Sequence, residues 1–204
     1  MPVVLTVDQR SSRAAADAVP ALLDRLAPVA TLRPFQRTAG DEVQAVLDDA
    51  DAVVAALRTI LRDSGWHVGV GVGPVDEPLP PETRAGNGPA YRDAREAVTR
   101  AKSAPHRLGV VGADAYAAEQ LETVLGLWAG LLERRTDRGW EVVDALDEGL
   151  SHAQAGQRLG ISQSAVTQRT QAAGLGDERR ARRLATQLLQ AMLQDETTRK
   201  EERR

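Results

Sequence analysis

The chain contains no cysteine, and this absence excludes disulfide bonds, thiol catalysis and zinc-finger chemistry. Histidine is nearly as scarce. The three histidines, His67, His106 and His152, stand at unrelated spacings and do not form the pattern of a His-rich metal site. Any metal ion would therefore have to be held by carboxylates.

The sequence also lacks a long apolar run. No segment approaches the roughly 20 apolar residues that span a membrane, and residues 1–8 lack the basic-then-apolar order of a secretion signal. We therefore expect a cytoplasmic protein with no membrane partner. The formal net charge of −3 argues against indiscriminate coating of nucleic acid and fits a protein in which one small surface does the binding.

The order of apolar patterns predicts two domains. Strand-like runs alternate with helical periodicity over residues 1–114, which indicates an α+β domain with a ferredoxin-like core. Beyond Asp114 the pattern is helical only. It predicts a connecting helix at 115–138, an all-α helix-turn-helix domain with a C-terminal helix at 139–195, and a polar tail at 196–204 that we expect to be disordered.

The elements follow from periodicity and from turn residues. The predicted strands are Pro2–Asp8, Ala30–Arg37, Glu42–Leu47, His67–Val75 and Arg107–Val111. The predicted helices are Ala14–Leu26, Asp51–Ser64, Ala90–Lys102, Ala117–Arg135, two short helices within 140–175, a helix that precedes these two and carries Glu141 to Glu148, and Glu178–Gln194.

The segment that begins at Trp140 carries the most informative pattern. Ser151 and Ser162 are each placed to cap a short helix, and Gly160 between them supplies a tight turn. The pattern resembles the helix-turn-helix of bacterial regulators and of region 4 of sigma factors. Thr170 departs from that type, in which a leucine or isoleucine is more usual. An ordinary helical hairpin with polar faces is the alternative.

Polar side chains of the second short helix are the candidate contacts to double-stranded DNA. Amides and hydroxyls there can reach base edges, and a guanidinium can reach phosphate. The candidate DNA-binding residues are Ser162, Gln163, Ser164, Thr167, Gln168, Arg169 and Gln171.

Two acids are expected to meet at one edge of the sheet. In a ferredoxin-like core the first and third strands are antiparallel neighbours, so Asp8 at the end of the first lies beside Asp41 at the start of the third. Carboxylate oxygens hold Mg²⁺, which neutralises phosphate charge. The bland alternatives are that Asp8 caps the following helix and that Asp41 serves its turn beside Gly40.

Short motifs around this edge resemble the palm core shared by diguanylate cyclases and class III nucleotide cyclases. They are the hairpin at 40–43, the strand at 69–73 and the helix at 94–102. Together with Asp8 and the sequence Gly88-Pro89-Ala90, they are most similar to the SatD-like proteins. Those are small bacterial proteins with this core and often a C-terminal helix-turn-helix.

The resemblance implies roles for four residues. Asp8 and Asp41 match the metal-binding acids of the cyclase core. Arg95 falls near the arginine that steadies the transferring phosphate, and Lys102 near a lysine that contacts nucleotide phosphates. The implied ligand is a purine nucleotide with Mg²⁺.

The chain departs from active cyclases at Ala39, Val43 and Tyr91, where those enzymes carry glycine, phenylalanine and asparagine. We therefore expect a transcriptional regulator with a nucleotide-sensing domain and no enzymatic activity. A nucleotidyl cyclase-type enzyme and a protein-interaction module are the alternatives.

A homodimer is expected, because a single helix-turn-helix reads too few base pairs for strong specificity. Two apolar helix faces are the candidate interfaces. One consists of Leu184, Leu188, Leu189, Ala191, Met192 and Leu193, and the other of Leu121, Leu125, Trp128 and Leu132.

Overall fold

The computed structural model describes residues 1–10 and 16–201, with side chains described as far as Gln194. Within these residues the fold is mixed α+β, as the sequence predicts. The strands are β1 (Val3–Gln9), β2 (Arg33–Arg37), β3 (Glu42–Leu47), β4 (Trp66–Val72) and β5 (Leu108–Gly112). The helices are α1 (Val19–Leu26), α2 (Ala50–Leu61), α3 (Pro89–Ala101), α4 (Ala115–Glu133), α5 (Asp137–Asp147), α6 (His152–Leu159), α7 (Gln163–Ala172) and α8 (Leu175–Glu201), with a 3₁₀ turn at Thr83–Ala85.

Proline explains two boundaries that the periodicity placed wrongly. Helix α1 begins at Val19 rather than Ala14, and Pro20 stands in its first turn, where the missing N–H needs no partner. Residues 11–15, which include part of that prediction, lie outside the described residues. Strand β4 ends at Val72 rather than Val75, because Pro74 cannot donate to a strand ladder.

The five strands form one sheet in the order β2-β3-β1-β4-β5. Neighbours are antiparallel except β4 and β5, which run parallel and are joined through α3. The predicted antiparallel pairing of the first and third strands is confirmed. It aligns Asp8 with Glu42, and the Gln9 amide donates to the Asp41 carbonyl at 3.3 Å.

The two faces of the sheet are covered differently. One face is apolar, carries Val3, Leu5 and Val7 from β1, and packs with side chains of α1, α2, α4 and α8 in one continuous core. The other face receives α3 at very short range: a Cβ on Gly71 would lie 2.2 Å from the Ala90 carbonyl oxygen. Glycine in β4 is therefore what lets α3 approach the sheet.

Helices α4 and α8 pack on each other, α4 also packs on β5, and the buried residues of both helices belong to the same core as the sheet, so the apolar core does not break at Asp114. This overturns both candidate dimer faces. Leu121, Leu125, Trp128 and Leu132 of α4, and Leu189, Met192 and Leu193 of α8, are buried within the single chain. Leu188 is half-buried, whereas Leu184 and Ala191 stay exposed. Apolar periodicity therefore identified most of the buried positions on these two helices. It did not show that the surface covering them belongs to the same chain.

Helix α8 continues to Glu201, so residues 196–201, which composition predicts to be disordered, are helical. Residues 202–204 of the predicted tail lie outside the described residues. Among the described residues, no helix combines the length and apolar character that a membrane crossing requires.

Candidate functional site

Capping residues define the two short helices after Glu148. The Ser151 hydroxyl accepts a hydrogen bond from the Gln154 amide at 3.3 Å, and the Gln154 side chain accepts one from the Ser151 amide at 2.9 Å. This reciprocal pair begins α6. Gly160 ends α6 with a φ of 66°, and the Ser162 hydroxyl begins α7 by accepting from the Ala165 amide at 3.1 Å. The sequence predicted all three roles.

The inner sides of α6 and α7 form a small apolar core with α5. Ala155 and Val166 are buried there. A Cβ on Gly156 would lie 2.8 Å from the Ile161 carbonyl oxygen, so glycine is needed for the close crossing. The Thr170 hydroxyl donates to the Val166 carbonyl at 2.8 Å. Its polar group is therefore satisfied within the helix, which explains why threonine is tolerated at this half-buried position.

The outer side of α7 presents most of the candidate DNA-binding residues. Gln163, Ser164, Gln168 and Gln171 are exposed. Thr167 is half-buried, with its hydroxyl 3.2 Å from His152 Nδ1. Ser162 lies at the start of the row, where its hydroxyl serves as the cap and also lies 2.9 Å from the Ser164 hydroxyl. These six residues therefore share one surface.

Arg169 does not belong to this surface. Its guanidinium lies 3.7 Å from the Glu141 carboxylate of α5, and its side chain is 28% exposed. Successive residues of an α-helix turn by about 100°, which carries Arg169 from the outer row toward the inner face. Arg158 of α6 is paired with Glu148 at 2.6 Å. Both positive charges are thus already matched within the chain.

The arginines that follow α7 in the sequence lie elsewhere. Arg179, Arg182 and Arg183 face a groove of about 650 Å³ between α8 and α2, together with Asp51 and Thr186. They are separated from the outer row of α7 because α8 leaves the three-helix unit formed by α5, α6 and α7 and packs on α4 and α2. Proximity in sequence to α7 therefore does not place them on its outer surface.

At the other candidate site, the end of β1, a lysine meets a cluster of acids. Lys102 Nζ contacts the Asp8 carboxylate, whose side chain is only 15% exposed. The hydrogen bond to Asp8 raises the pKa of Lys102, burial opposes the rise, and the charges of Asp8, Asp41 and Glu42 add to it. All three carboxylates therefore act on one ammonium. Sequence reasoning missed Glu42, although its alignment with Asp8 follows from the predicted strand pairing.

The structure brings three of the four resemblance-derived residues together and leaves Arg95 apart. Arg95 is exposed on α3, seven residues before Lys102, which is about 10 Å along the helix axis. Within the described ranges, no three Asp, Glu or His side chains are arranged to hold a metal ion. At Asp8 the ammonium of Lys102 takes the position of a counter-cation, so this arrangement does not fit a preformed Mg²⁺ site.

His67 is a second neighbour of Asp8 that sequence reasoning did not single out. It is aligned with Asp8 across the β1–β4 pair, and its Nδ1 is buried without a hydrogen-bond partner among the described residues. Burial lowers the pKa of His67, against the opposing effects of the Ala101 carbonyl and Asp8. A neutral imidazole therefore borders the acidic edge.

A buried ionic cluster joins α2, which packs on the sheet, to α8 and to the start of α5. Glu178 of α8 is fully buried and lies 2.7 Å from both Arg58 of α2 and Arg135 before α5. Arg135 also donates through Nε to the Ala173 carbonyl at 3.0 Å. Its Nη atoms lack well-aligned hydrogen bonds, but the guanidinium lies 4.3 Å from the centre of the Trp140 ring, a cation–π distance.

The charges of this cluster are matched. Burial by itself raises the pKa of Glu178, but the Arg58 hydrogen bond and the charges of Arg58 and Arg135 outweigh it and hold the pKa below its ordinary value. The cluster is therefore ionised at neutral pH. It fixes α5 and α8 against α2 through groups that lie far apart in sequence.

Comparison with protein-family models finds no match to this chain, and comparisons with curated proteins and with solved structures find none either.

Proposed function

We propose that the protein is a DNA-binding transcriptional regulator in which α6 and α7 form a helix-turn-helix and α7 enters the major groove. One observation carries the proposal: α7 has a packed inner side and an outer row of exposed amides and hydroxyls. Glutamine can pair with adenine through two hydrogen bonds, and serine and threonine can donate to or accept from several bases. The capped N-termini of both helices offer backbone amides to phosphates.

The charge distribution around α7 supports recognition of DNA sequence through direct contacts to bases rather than through a strong positive electrostatic field. Arg158 and Arg169 are paired with Glu148 and Glu141, so few free cations surround α7. Each phosphate neutralised by a protein contributes a slope of about −0.9 to the dependence of log affinity on log salt. We expect a shallow slope, with an absolute value below about 5, and a correspondingly weak affinity for unrelated DNA.

The experiment begins with selection of duplexes from a randomised library, because the operator is unknown. Binding of the selected duplex is then measured by fluorescence anisotropy at several salt concentrations. Gln168→Ala should reduce discrimination against single-base changes by about 1–3 kcal/mol. Gln190→Ala, at an exposed glutamine of α8, is the matched control and should change nothing. Arg169→Ala should leave the salt slope unchanged, because Glu141 already neutralises this arginine.

Absence of salt-sensitive binding to any duplex would contradict the proposal. If the folded protein bound no DNA but bound another protein through α7, the interaction-module alternative would replace it.

We further propose that the N-terminal part is a cyclase-like palm that binds a purine nucleotide with Mg²⁺ and does not turn it over. The strand order β4-β1-β3-β2, antiparallel throughout, supports a ferredoxin-like core. The convergence of Asp8, Asp41 and Lys102 supports a charged ligand. A divalent cation could bind Asp8 only if Lys102 released the Asp8 carboxylate.

Calorimetry with ATP and GTP in the presence of Mg²⁺ tests the ligand. Binding should be lost in Asp41→Asn and retained in Asp48→Asn, which changes an exposed acid at the opposite end of β3. An assay for cyclic product runs in parallel. Robust product would favour the enzyme alternative, whereas no binding would assign the acids a structural role. If nucleotide binding is coupled to DNA binding through the cluster around Glu178, a bound nucleotide should change the free energy of DNA binding by about 1–3 kcal/mol.

A further inference from the structure

The groove between α2 and α8 has a volume of about 650 Å³ and is lined by the facing sides of the two helices. Near one end, Arg58 of α2 bonds to Glu178 of α8 at 2.7 Å. Near the other end, the Thr186 hydroxyl of α8 donates to the Asp51 carboxylate of α2 at 3.1 Å. The two helices therefore run antiparallel, and the groove extends along them between these two contacts.

Arg182, in the middle of the groove, differs from the other arginines that are shielded from solvent. Six arginines with described side chains are half-buried or buried, and five of them donate to a carbonyl or lie beside a carboxylate. These five are Arg33, Arg58, Arg107, Arg135 and Arg169. Arg182, the sixth, forms no hydrogen bond and no ion pair within the part of the chain that the structure describes. A guanidinium stays charged at any ordinary pH, so its partial burial without an acceptor is unfavourable.

Two further arginines line the groove beside Arg182. Arg179 precedes it by one helical turn, and Arg183 follows it directly. Arg183 is exposed and has no acceptor among the described residues. Arg179 lies 3.5 Å from Asp147, but Asp147 is already bonded to Arg58 at 2.5 Å. Like charges three and four residues apart destabilise a helix, so helix formation does not account for this arrangement.

The rest of the lining is mixed in character. Asp51 is the one carboxylate among the described residues that line the groove, and it is held by the Thr186 hydroxyl rather than by an arginine. Three guanidiniums and one carboxylate give the lining a net charge of +2 at neutral pH. Val54 and Ala55 of α2 add an apolar side. The groove therefore combines an excess of positive charge, an apolar surface and an acceptor of hydrogen bonds.

We infer that this groove binds a small phosphate monoester that carries hydroxyl groups. A phosphate monoester has a charge of about −1.5 to −2 at pH 7 and terminal oxygens that accept several hydrogen bonds. These properties match the net charge of the lining and the planar set of donors that each arginine presents. The phosphate lies at Arg182, between Arg179 and Arg183. The carbon skeleton lies against Val54 and Ala55, and a hydroxyl group donates to the carboxylate at the far end.

The shape of the groove favours a small ligand over the backbone of duplex DNA. A concave site of this volume is typical of sites for small molecules, and a DNA backbone would also meet the negative charge of Asp51. The groove is moreover separated from the outer row of α7. The inference does not rest on the proposed function, since it requires neither DNA binding by α7 nor a nucleotide at Asp8.

Isothermal titration calorimetry at low salt tests the inference, with the protein and buffers freed of divalent cations so that Mg²⁺-dependent binding does not contribute. The probes are inorganic phosphate, glucose 6-phosphate and adenosine 5′-monophosphate, and the two esters distinguish a sugar phosphate from a nucleotide. At least one ester should bind more tightly than inorganic phosphate, whereas glucose and adenosine should not bind. Absence of binding by every phosphate at millimolar concentration would overturn the inference. Equal affinity for all three would overturn the assignment of an ester.

Three variants test the position of the phosphate. Arg182→Gln should weaken its binding about tenfold or more, because a charged hydrogen-bond donor is lost. Arg138→Gln, which changes an exposed arginine of α5, is the matched control and should leave the affinity unchanged. Asp51→Asn should tighten the binding of inorganic phosphate about threefold, because the negative charge of the lining is removed. Equal effects of Arg182→Gln and Arg138→Gln would contradict the assignment of the groove.

Thermal unfolding separates ligand binding from a structural role of Arg182. Without ligand, Arg182→Gln should not lower the melting temperature, because Arg182 has no acceptor to lose. The phosphate ester should raise the melting temperature of the native chain and not that of the variant. A marked loss of stability in the variant without ligand would assign Arg182 to the fold and overturn the inference. It would also be overturned if no ester bound and Arg182→Gln reduced the salt slope of DNA binding, since the groove would then contact the DNA backbone.

Discussion

Replacing Glu178 by glutamine should destabilise the protein strongly while leaving its shape almost unchanged. The substitution removes the negative charge between Arg58 and Arg135, and both the Glu178 and the Arg135 side chains are 0% exposed. Breaking one partner of a buried ion pair typically costs about 3–5 kcal/mol. Arg58 keeps Asp147 at 2.5 Å, and Arg135 keeps the Ala173 carbonyl. We therefore expect a loss of about 3 kcal/mol, the lower end of that range.

Urea unfolding followed by tryptophan fluorescence measures this loss, and Trp140 lies within the cluster. With a denaturant slope of about 2 kcal/mol per molar urea, the midpoint should fall by about 1.5 M. Glu96→Gln, at an exposed glutamate of α3, is the control and should change the free energy of unfolding by less than about 0.5 kcal/mol. Replacing Arg135 and Glu178 together by methionine and leucine should cost much less than Glu178→Gln, because no buried charge is then left unpaired.

The effect should also depend on pH. The pKa of Glu178 is lowered in the folded protein, so its ionised form stabilises the fold above its unfolded pKa of about 4.3. That stabilisation is lost as the pH falls through the lower folded pKa. The difference between native protein and Glu178→Gln should therefore shrink in acid. An unchanged midpoint at neutral pH, or a difference that stays constant into acid, would refute the reasoning.

Three further predictions concern particular backbone and side-chain positions. Gly71→Ala should destabilise the protein by about 1–3 kcal/mol in urea unfolding, since its Cβ would lie 2.2 Å from the Ala90 carbonyl oxygen. Gly176→Ala is the control: its Cβ would have only the end of the Arg180 side chain nearby, at 3.9 Å, so it should stabilise the protein by about 0.4–1 kcal/mol. Gly160→Ala should raise the free energy of the folded state by about 1–2 kcal/mol, because its φ of 66° is unfavourable for a residue with a Cβ, and a native midpoint would contradict this. His67 should titrate below 6.5 by NMR, because burial disfavours its charged form; stability should therefore decline as the pH falls below 6.5, and His67→Asn should remove that decline.

Local sequence rules predicted much of the fold and part of the candidate sites. Alternation and apolar runs located all five strands, and the order of elements predicted the antiparallel pairing that aligns Asp8 with Glu42. Serine caps and a glycine turn located α6 and α7. These features depend on residues a few positions apart, or on a pairing that chain order restricts to few choices.

The sequence could not identify the partners of side chains that are distant in the chain. Helical periodicity showed that Leu121 and Leu189 face an apolar surface, and only the packing of α4 on α8 and the sheet showed that this surface belongs to the same chain. For the same reason, Arg169 was assigned to DNA although Glu141 lies beside it.

What the sequence alone determined was therefore the set of elements, their capping, and the amphipathic character of each helix, because these depend on local backbone preferences and on solvent exclusion. Only the tertiary structure decided that Lys102 pairs with Asp8 and that Arg58 and Arg135 share Glu178. Electrostatic pairing and close packing act over a few ångströms in space, and the distance between residues along the chain does not reveal which of them come within that range.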